Sequence, residues 1–324
     1  MAIHGNLNLN DLGGGHRFSG HQTFALRIAW LPKAVAAIQG GLDVLNDPLQ
    51  GVIELGLGKN MVEALRCWVE AYGVARRCPD GWRLTEEAAV IFGSGGTDPY
   101  LEDTQTLWWL HWKISTLRTA PFFAWELLVN RWNDPTFTSS TAVQEFGRQA
   151  EREGRSLSEV TLKQHVDVWL RTYLSPRGVR AMEDGLDSPL AALGFVRQAG
   201  EREAAGRHEP VFAFDLSAKR GISLPLFRYA LLDWWEARDG RDDTAPFHEA
   251  AHGPGSPGRV FRLPETDVRN RLQALSADPK SGFELHESLN QYQVRRRGPA
   301  PSLPAALAAA YARPPVRLRK GANG

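Results

Sequence analysis

Two short stretches concentrate side chains able to move protons or hold a cation. Phe18-Ser19-Gly20-His21-Gln22-Thr23-Phe24 sets an imidazole and a carboxamide between aromatic residues. Imidazole titrates near neutral pH, so His21 is suited to act as general base or metal ligand, and Gln22 is taken with it as a candidate catalytic residue. The plainer reading is structural: Ser19 and Gln22 have capping-box spacing, and His21 makes a fixed hydrogen bond. Asp98-Pro99-Tyr100-Leu101-Glu102-Asp103 places three carboxylates just before a Trp-rich helix that carries His111 and Lys113. Clustered carboxylates bind Mg²⁺ (or Mn²⁺), which polarises a phosphodiester and prepares water for attack. On that reading Glu102 and Asp103 are metal ligands and join His21, Gln22 and His111 as the candidate catalytic set. The alternative is an N-cap and acidic first turn that complement the helix dipole.

Two further motifs lack their context. His248-Glu249-Ala250-Ala251-His252 has zincin spacing, which needs a helix presenting both imidazoles on one face. Pro246 and Gly253-Pro254 bracket it too closely for more than about two helical turns, and Gly258 stands where a third ligand belongs. Gly56-Leu57-Gly58-Lys59-Asn60 lacks the phosphate-loop glycine spacing and instead reads as the turn of a helix-turn-helix, with Lys59 and Asn60 near a phosphate.

These groups need scaffolding, and the chain has ample length for it. Its 324 residues, 43% apolar and 23% charged, suit two or three folded units rather than a disordered chain. No apolar run approaches the roughly 20 residues that cross a bilayer, and the polar N-terminus lacks a signal design, so a cytoplasmic protein with no membrane partner is expected. Cys67 and Cys78 alone exclude a disulfide framework and a four-cysteine zinc site. The 11 tryptophans cluster beside leucines at helical spacing, as in Trp108, Trp109 and Trp112, which assigns most of them to a core. From Ser288 onward the chain has no acidic residue and seven cations, so a basic, Pro-rich tail follows a mildly acidic body. Such a tail suits contact with a polyanion, or is simply solvated.

The pattern between His16 and Gly93 is the most informative. A helix is expected over Thr23–Ile38, kinked at Pro32 and ended by Gly40-Gly41. Asp47-Pro48 starts a short helix to Leu55, Gly56-Leu57-Gly58 turns, and Asn60–Tyr72 forms a longer helix with Gly73 as its cap. Val74–Arg77 and Trp82–Leu84 flank the turn Pro79-Asp80-Gly81 as a hairpin, and Thr85-Glu86 opens another helix. Helix, short helix, turn, longer helix and hairpin in this order make a winged helix-turn-helix, in which the second helix enters a DNA groove and the wing touches phosphates. Lys59, Asn60, Glu63 and Arg66 fall on the outer face of that helix, and Arg76, Arg77 and Arg83 on the wing. With Lys113, the basic members and Asn60 form the candidate DNA-binding set.

The order recurs less clearly downstream. One helix carries Val143, Phe146 and Ala150; Ser156 and Glu159 cap the next; Phe195–Arg197 and Val211–Phe214 pair around a wing loop, Gly200–His208. Leu224–Ala237 is helical, Arg259–Arg262 extended, Pro264-Glu265 opens a helix, and Phe283–Leu285 with Tyr292–Val294 makes a hairpin. The expected fold is mainly α with small β-hairpins, built of winged helix-turn-helix units joined by a helical connector. Its divisions are a winged helix-turn-helix domain at 16–95, the connector at 96–135, a second winged-helix-like domain at 136–222, a third such unit at 223–298, and the basic tail at 299–324.

Phe18–Phe24 with Arg27 and Trp30, Leu55–Gly73, and Asp98–Trp112 resemble the SspB-like family of bacterial DNA phosphorothioation (Ssp) defence systems, long classed as a domain of unknown function. Glu183–Gly194 and Gly258–Leu263 add weaker likeness. The resemblance implies a DNA nicking endonuclease that cuts one strand so that sulfur can replace a phosphate oxygen. Its implied partners are double-stranded DNA, a cysteine desulfurase, an ATPase and a sulfurtransferase. No catalytic residue carries over through a matched nuclease motif. A non-enzymatic winged-helix regulator or scaffold of the modification complex stands as the alternative, and a homodimer fits either reading. Convergence of His21, Glu102 and Asp103 on one basic cleft favours the enzyme; burial apart from one another favours the scaffold.

Overall fold

Local signals in the first ninety residues set the architecture. The computed structural model describes residues 15–174, 188–204, 206–238, 243–288, 291–298 and 301–312. Helix α1 (Trp30–Gln39) is followed by α2 (Pro48–Leu55), whose first amides are accepted by Asp47 and whose end is the left-handed Gly56. Helix α3 (Lys59–Ala71) leads into strands β1 (Ala75–Cys78) and β2 (Gly81–Leu84), which pair antiparallel. Thr85 caps α4 (Glu86–Phe92). The expected order of elements in this stretch is therefore present.

Helix α1 starts later than its apolar periodicity suggested. Gln22 and Thr23 adopt left-handed backbone with φ of 46° and 62°, which no right-handed helix accommodates. Neither Ser19 nor Gln22 caps it; Ala29 stands at the N-cap without a side-chain bond. Pro32 falls in the first turn, where its missing N–H costs nothing, so it does not act as a mid-helix kink.

Helix α5 (Thr104–Ser115) is the structural axis. Nearly every residue on it is buried, including Trp108, Trp109 and Trp112, as expected for a helix enclosed by protein on all sides. Its polar side chains reach different neighbours: Trp109 Nε1 donates to Tyr229 Oη (3.2 Å), Trp112 Nε1 donates to Asp233 (2.7 Å), and His111 bonds Tyr173 Oη (2.7 Å) and the Val260 carbonyl (2.9 Å). Next come α6 (Phe123–Trp125) and a π-helical turn, Glu126–Arg131.

Two three-stranded antiparallel sheets follow, with matching connectivity. Strand β3 (Thr136–Thr138) precedes helices α7 (Ser139–Arg152) and α8 (Glu159–Tyr173), then β4 (Val196–Ala204) and β5 (Arg207–Phe214) in the order β3-β5-β4. Helix α9 (Leu224–Ala237) leads to β6 (Thr244–Pro246), short helices α10 (Phe247–His252) and α11 (Pro257–Val260), helix α12 (Glu265–Ser276), and strands β7 (Phe283–Ser288) and β8 (Gln291–Arg296) in the order β6-β8-β7. Each first strand pairs with the last of its set.

Four local expectations need correction. Ser158, not Ser156, caps α8, by accepting from the Thr161 amide. Residues Arg259–Arg262 are not extended, because Ser256 and Pro257 start α11 there. Within Gly200–His208, residues 200–204 and 207–208 are strand, paired as the two sides of a hairpin, rather than a loop. The Pro-rich C-terminal segment is not free throughout: Ser302 caps helix α13 (Leu303–Ala308), which packs against α4 and α9 and buries Ala306 and Leu307. The last four cations, from Arg313 on, and residues 183–187 of the Glu183–Gly194 stretch lie outside the described residues. The buried side chains from Phe18 to Ala310 form one hydrophobic cluster, and the structure is mainly α with small antiparallel hairpins. Among the described residues no helix is long and apolar enough to cross a membrane.

Candidate nucleic-acid interface

Helix α3 presents its N-terminus to solvent. Its N-cap, Gly58, offers no side chain, and its first turn holds no acidic residue. The first amides and the positive end of the helix dipole therefore lie beside exposed Lys59 and Asn60. Val62, Leu65, Trp68 and Val69 bury the opposite face. Glu63, Arg66 and Glu70 form a half-buried stripe along the outer side. Gly51 of α2 lets the two helices close together: a Cβ there would lie 2.7 Å from Val62 Cγ1 and 2.5 Å from the Val44 carbonyl. Close packing at Gly51 therefore fixes how α3 is presented.

The hairpin carries Arg76, Arg77 and Arg83, all exposed. Arg76 stands directly opposite Arg83 across β1 and β2. Like charges opposed on a hairpin destabilise it, a cost that a bound anion offsets. Asp80 pairs with Arg83, whereas Arg66, Arg76 and Arg77 have no carboxylate at ion-pair distance among the described residues. Lys113 departs from the expected set. Its Nζ is 3.2 Å from Glu87 in a largely enclosed pair, so its charge is spent internally.

The candidate catalytic residues do not converge. His21 is 3% exposed and lies between Trp68, Phe122 and His165. Its Nε2 is 3.1 Å from His165 Nδ1, and the Thr23 amide points at its Nδ1 from 3.2 Å. Ala124 N–H donates to His165 Nε2 (3.0 Å). Burial, then Arg171 and Arg17, lowers the His21 pKa to about 4, and burial lowers that of His165 as well. His21 is thus a neutral structural pin beneath the left-handed Gln22-Thr23 turn, and Gln22 itself is exposed. His111 is fully buried among Trp108, Tyr173, Phe195 and Phe261, with its pKa lowered to about 4, chiefly by burial. The ring and hydrogen-bond partners of His21 are a different set: Trp68, Phe122, His165 and the Thr23 amide.

The carboxylates are mostly spent on backbone. Asp98 accepts the Glu102 amide on one oxygen (2.8 Å) and the Asp103 amide on the other (3.0 Å). Asp103 caps α5 by accepting the Gln105 amide at 2.8 Å, and burial raises its pKa. Only Glu102 is exposed. One free carboxylate beside two committed ones does not fit Mg²⁺, which prefers an octahedral oxygen set. Among the described residues, no group of three or more His, Cys, Asp or Glu side chains could hold a metal ion. That includes the zincin-like segment, where Glu249 pairs with Arg238 (3.1 Å) and His252 with Glu265 (3.2 Å) on a helix of six residues. Asp103→Ala is expected to cost about 1 kcal/mol through the lost cap, measured as a lower denaturation midpoint.

Sequence reasoning overlooked Arg17. Its side chain is buried at 7% exposure, lies over the Phe122 ring at 4.9 Å and donates to Cys67 Sγ at 3.5 Å. Its Nε is buried without a hydrogen-bond partner. The clue available was its place beside the Phe18–Phe24 motif.

Residues 18–311 match the model of the family described as "Protein of unknown function (DUF4007)". The chain belongs to that family. This DUF4007 protein also resembles two solved structures over nearly its whole length. A crystal structure of SspB is 27% identical with a TM-score of 0.74, the match covering 90% of this chain and 85% of that one. A magnesium ion-bound crystal structure of SspB is 26% identical with a TM-score of 0.77, covering 94% and 88%. No curated protein sequence matches the DUF4007 chain significantly.

Proposed function

We propose that this protein is the DNA-docking component of a phosphorothioate-based bacterial defence system, acting in the cytoplasm through a winged helix-turn-helix over residues 16–95. The observation that carries the reading is the α3 N-terminus, uncapped and exposed beside Lys59 and Asn60, next to a hairpin wing bearing Arg76, Arg77 and Arg83. Arg66 extends this surface along α3. Similarity to SspB supports the assignment to a phosphorothioation system. The strand–helices–hairpin order of 136–222 and 223–298 supports two further winged-helix-like units, joined to the first by the connector 96–135. The partners that follow are double-stranded DNA and the sulfur-inserting proteins: a cysteine desulfurase, an ATPase and a sulfurtransferase. A homodimer reading two half-sites fits the same model.

A second reading adds strand nicking, and the observation favouring it is the similarity to a magnesium ion-bound SspB. The buried His21 and His111 and the capping Asp103 give it no assembled centre, so docking is the better-supported role. Both readings are tested together by mixing purified protein with supercoiled plasmid, with and without Mg²⁺. Docking requires a retarded plasmid band in either condition; nicking requires open-circular product only with the metal. Plasmid that migrates unretarded and uncut removes both.

A further inference from the structure

We propose that the cleft between the end of α5, the π-helical turn and the end of α9 binds a small phosphate ester of mononucleotide size. The cleft holds about 500 Å³, within the range that takes small organic ligands. Among the described residues, none of α3 or its wing lines it, so the inference is independent of duplex docking. The π-helical turn is the first sign of a built site. Such turns are rare and are found mostly where they serve a function, and here Glu126, Asn130 and Arg131 of the turn line the cleft. Asn130 ties three walls together. Its Nδ2 donates to the Ser115 carbonyl (2.8 Å) and to Glu126 (3.2 Å), and its Oδ1 accepts the Gly255 amide (3.1 Å). The walls are therefore set in advance, and little ordering opposes a ligand.

The charge of the lining points to an anion. Arg118, Arg131 and Arg238 line the cleft, against Glu126 as the one lining carboxylate among the described residues. Their closest carboxylate contacts are Arg118 Nη2 to Asp233 (2.7 Å), Arg131 Nε to Glu126 (2.9 Å) and Arg238 Nη2 to Glu249 (3.1 Å). Each fork keeps further N–H donors, and Arg238 Nη1 is buried with no hydrogen-bond partner. Helix C-termini also meet here, and bare carbonyls would repel an anion. They are covered. Thr116 takes the Trp112 carbonyl (2.8 Å), Asn130 that of Ser115, and Arg118 that of Asp233 (2.8 Å). Behind the turn, Arg259 donates to the Asn130 and Trp132 carbonyls (2.9 and 2.7 Å), and Arg262 to those of Leu128 and Trp132 (2.7 and 2.8 Å). Neither Arg259 nor Arg262 has a carboxylate at ion-pair distance among the described residues. Their positive field therefore reaches the cleft through protein, which screens it less than water does.

Phosphate fits this lining better than a carboxylate does. Three planar forks from three elements suit a group with more than two acceptor oxygens. Leu117, Pro121 and Pro254 supply an apolar stretch of wall, which gives the organic body of an ester a place beside its phosphate. A ligand seated there touches α5, the π-helical turn and α9 together, so its binding stabilises the folded chain. Glu126 is the competitor: it holds Arg131 in the free protein and must share that arginine with the incoming anion.

The test uses the full-length protein, with inorganic phosphate and deoxyadenosine 5′-monophosphate as ligands, followed by titration calorimetry and thermal melting. The monophosphate is expected to bind about 10-fold more tightly than phosphate, because the apolar wall adds to the charge, and to raise the melting temperature. Arg131→Gln is expected to weaken monophosphate binding about 10-fold. Glu126→Gln, which removes the competitor, is expected to tighten it about 3-fold, and keeps the test open should Arg131→Gln fail to fold. Arg76→Ala with Arg77→Ala is expected to leave it unchanged, whatever that double variant does to duplex binding. No saturable binding of the monophosphate, or binding that Arg131→Gln and Glu126→Gln both leave unchanged, overturns the proposal while duplex docking stands. A short single-stranded oligonucleotide that binds and is weakened by Arg131→Gln, where the monophosphate does not bind, overturns the small ligand in favour of a nucleotide within a strand.

Discussion

Lowering the pH from 6.5 towards 4 is expected to destabilise this protein steeply, because it buries three histidines in neutral form. The folded-state pKa values of His21 and His111 lie at about 4, and that of His165 is also well below the ordinary 6.5. The unfolded chain takes up protons on these rings as pH falls through 6.5, whereas the folded chain does not until about 4. The unfolded state therefore binds more protons across that window, and stability falls as pH falls. For His21 and His111 the shift corresponds to roughly 3 kcal/mol each, a large share of the 5–15 kcal/mol that typically holds a domain together. Melting temperature should drop on the order of 10–20 °C between pH 6.5 and 4.5. Replacing His21 with Gln should flatten part of that decline. A profile as flat below pH 6.5 as above it contradicts the account.

Trp112→Ala is expected to cost about 3–5 kcal/mol, the usual penalty for truncating a large buried aromatic. Trp112 is fully buried, and its Nε1 satisfies Asp233 at 2.7 Å. The other side-chain partner of Asp233 is Arg118, also at 2.7 Å, so truncation leaves a cavity and a half-satisfied buried carboxylate together. The pair joins α5 to α9, and the damage should reach the whole cooperative unit. By contrast, Glu102→Ala at an exposed position should change stability by no more than about 0.5 kcal/mol. Chemical denaturation of the two variants side by side measures the difference. Equal costs would mean that α5 is not the axis described.

What could be read from the sequence follows from the range of the interactions. Asp47-Pro48, Thr85 and the Pro79-Asp80-Gly81 turn act within a few residues, and each boundary they set is present. The late start of α1 was hidden because an apolar period at 23–38 says nothing about the left-handed turn at Gln22-Thr23. That turn is held from outside, by Arg171 donating to the Thr23 carbonyl and by His165 meeting His21 across 144 positions. The capping reading of Asp103 was legible from its place before the tryptophans; the complete use of Asp98 by two backbone amides was not. Strand β3 is three residues long and exists only because β5, some seventy positions later, pairs with it. The Pro-rich C-terminus looked like a tail because the surfaces it covers, on α4 and α9, are distant in the chain.

The central claim, docking of duplex DNA by α3 and its wing, is tested most directly by the salt dependence of duplex affinity for the wild type and for Arg76→Ala with Arg77→Ala. Each arginine that neutralises a phosphate contributes about −0.9 to the slope of log affinity against log salt. The wild type is expected to bind with a clear negative slope, and the double variant to bind more weakly with a slope shallower by up to about 2. An unchanged affinity and slope in a folded double variant would contradict the claim.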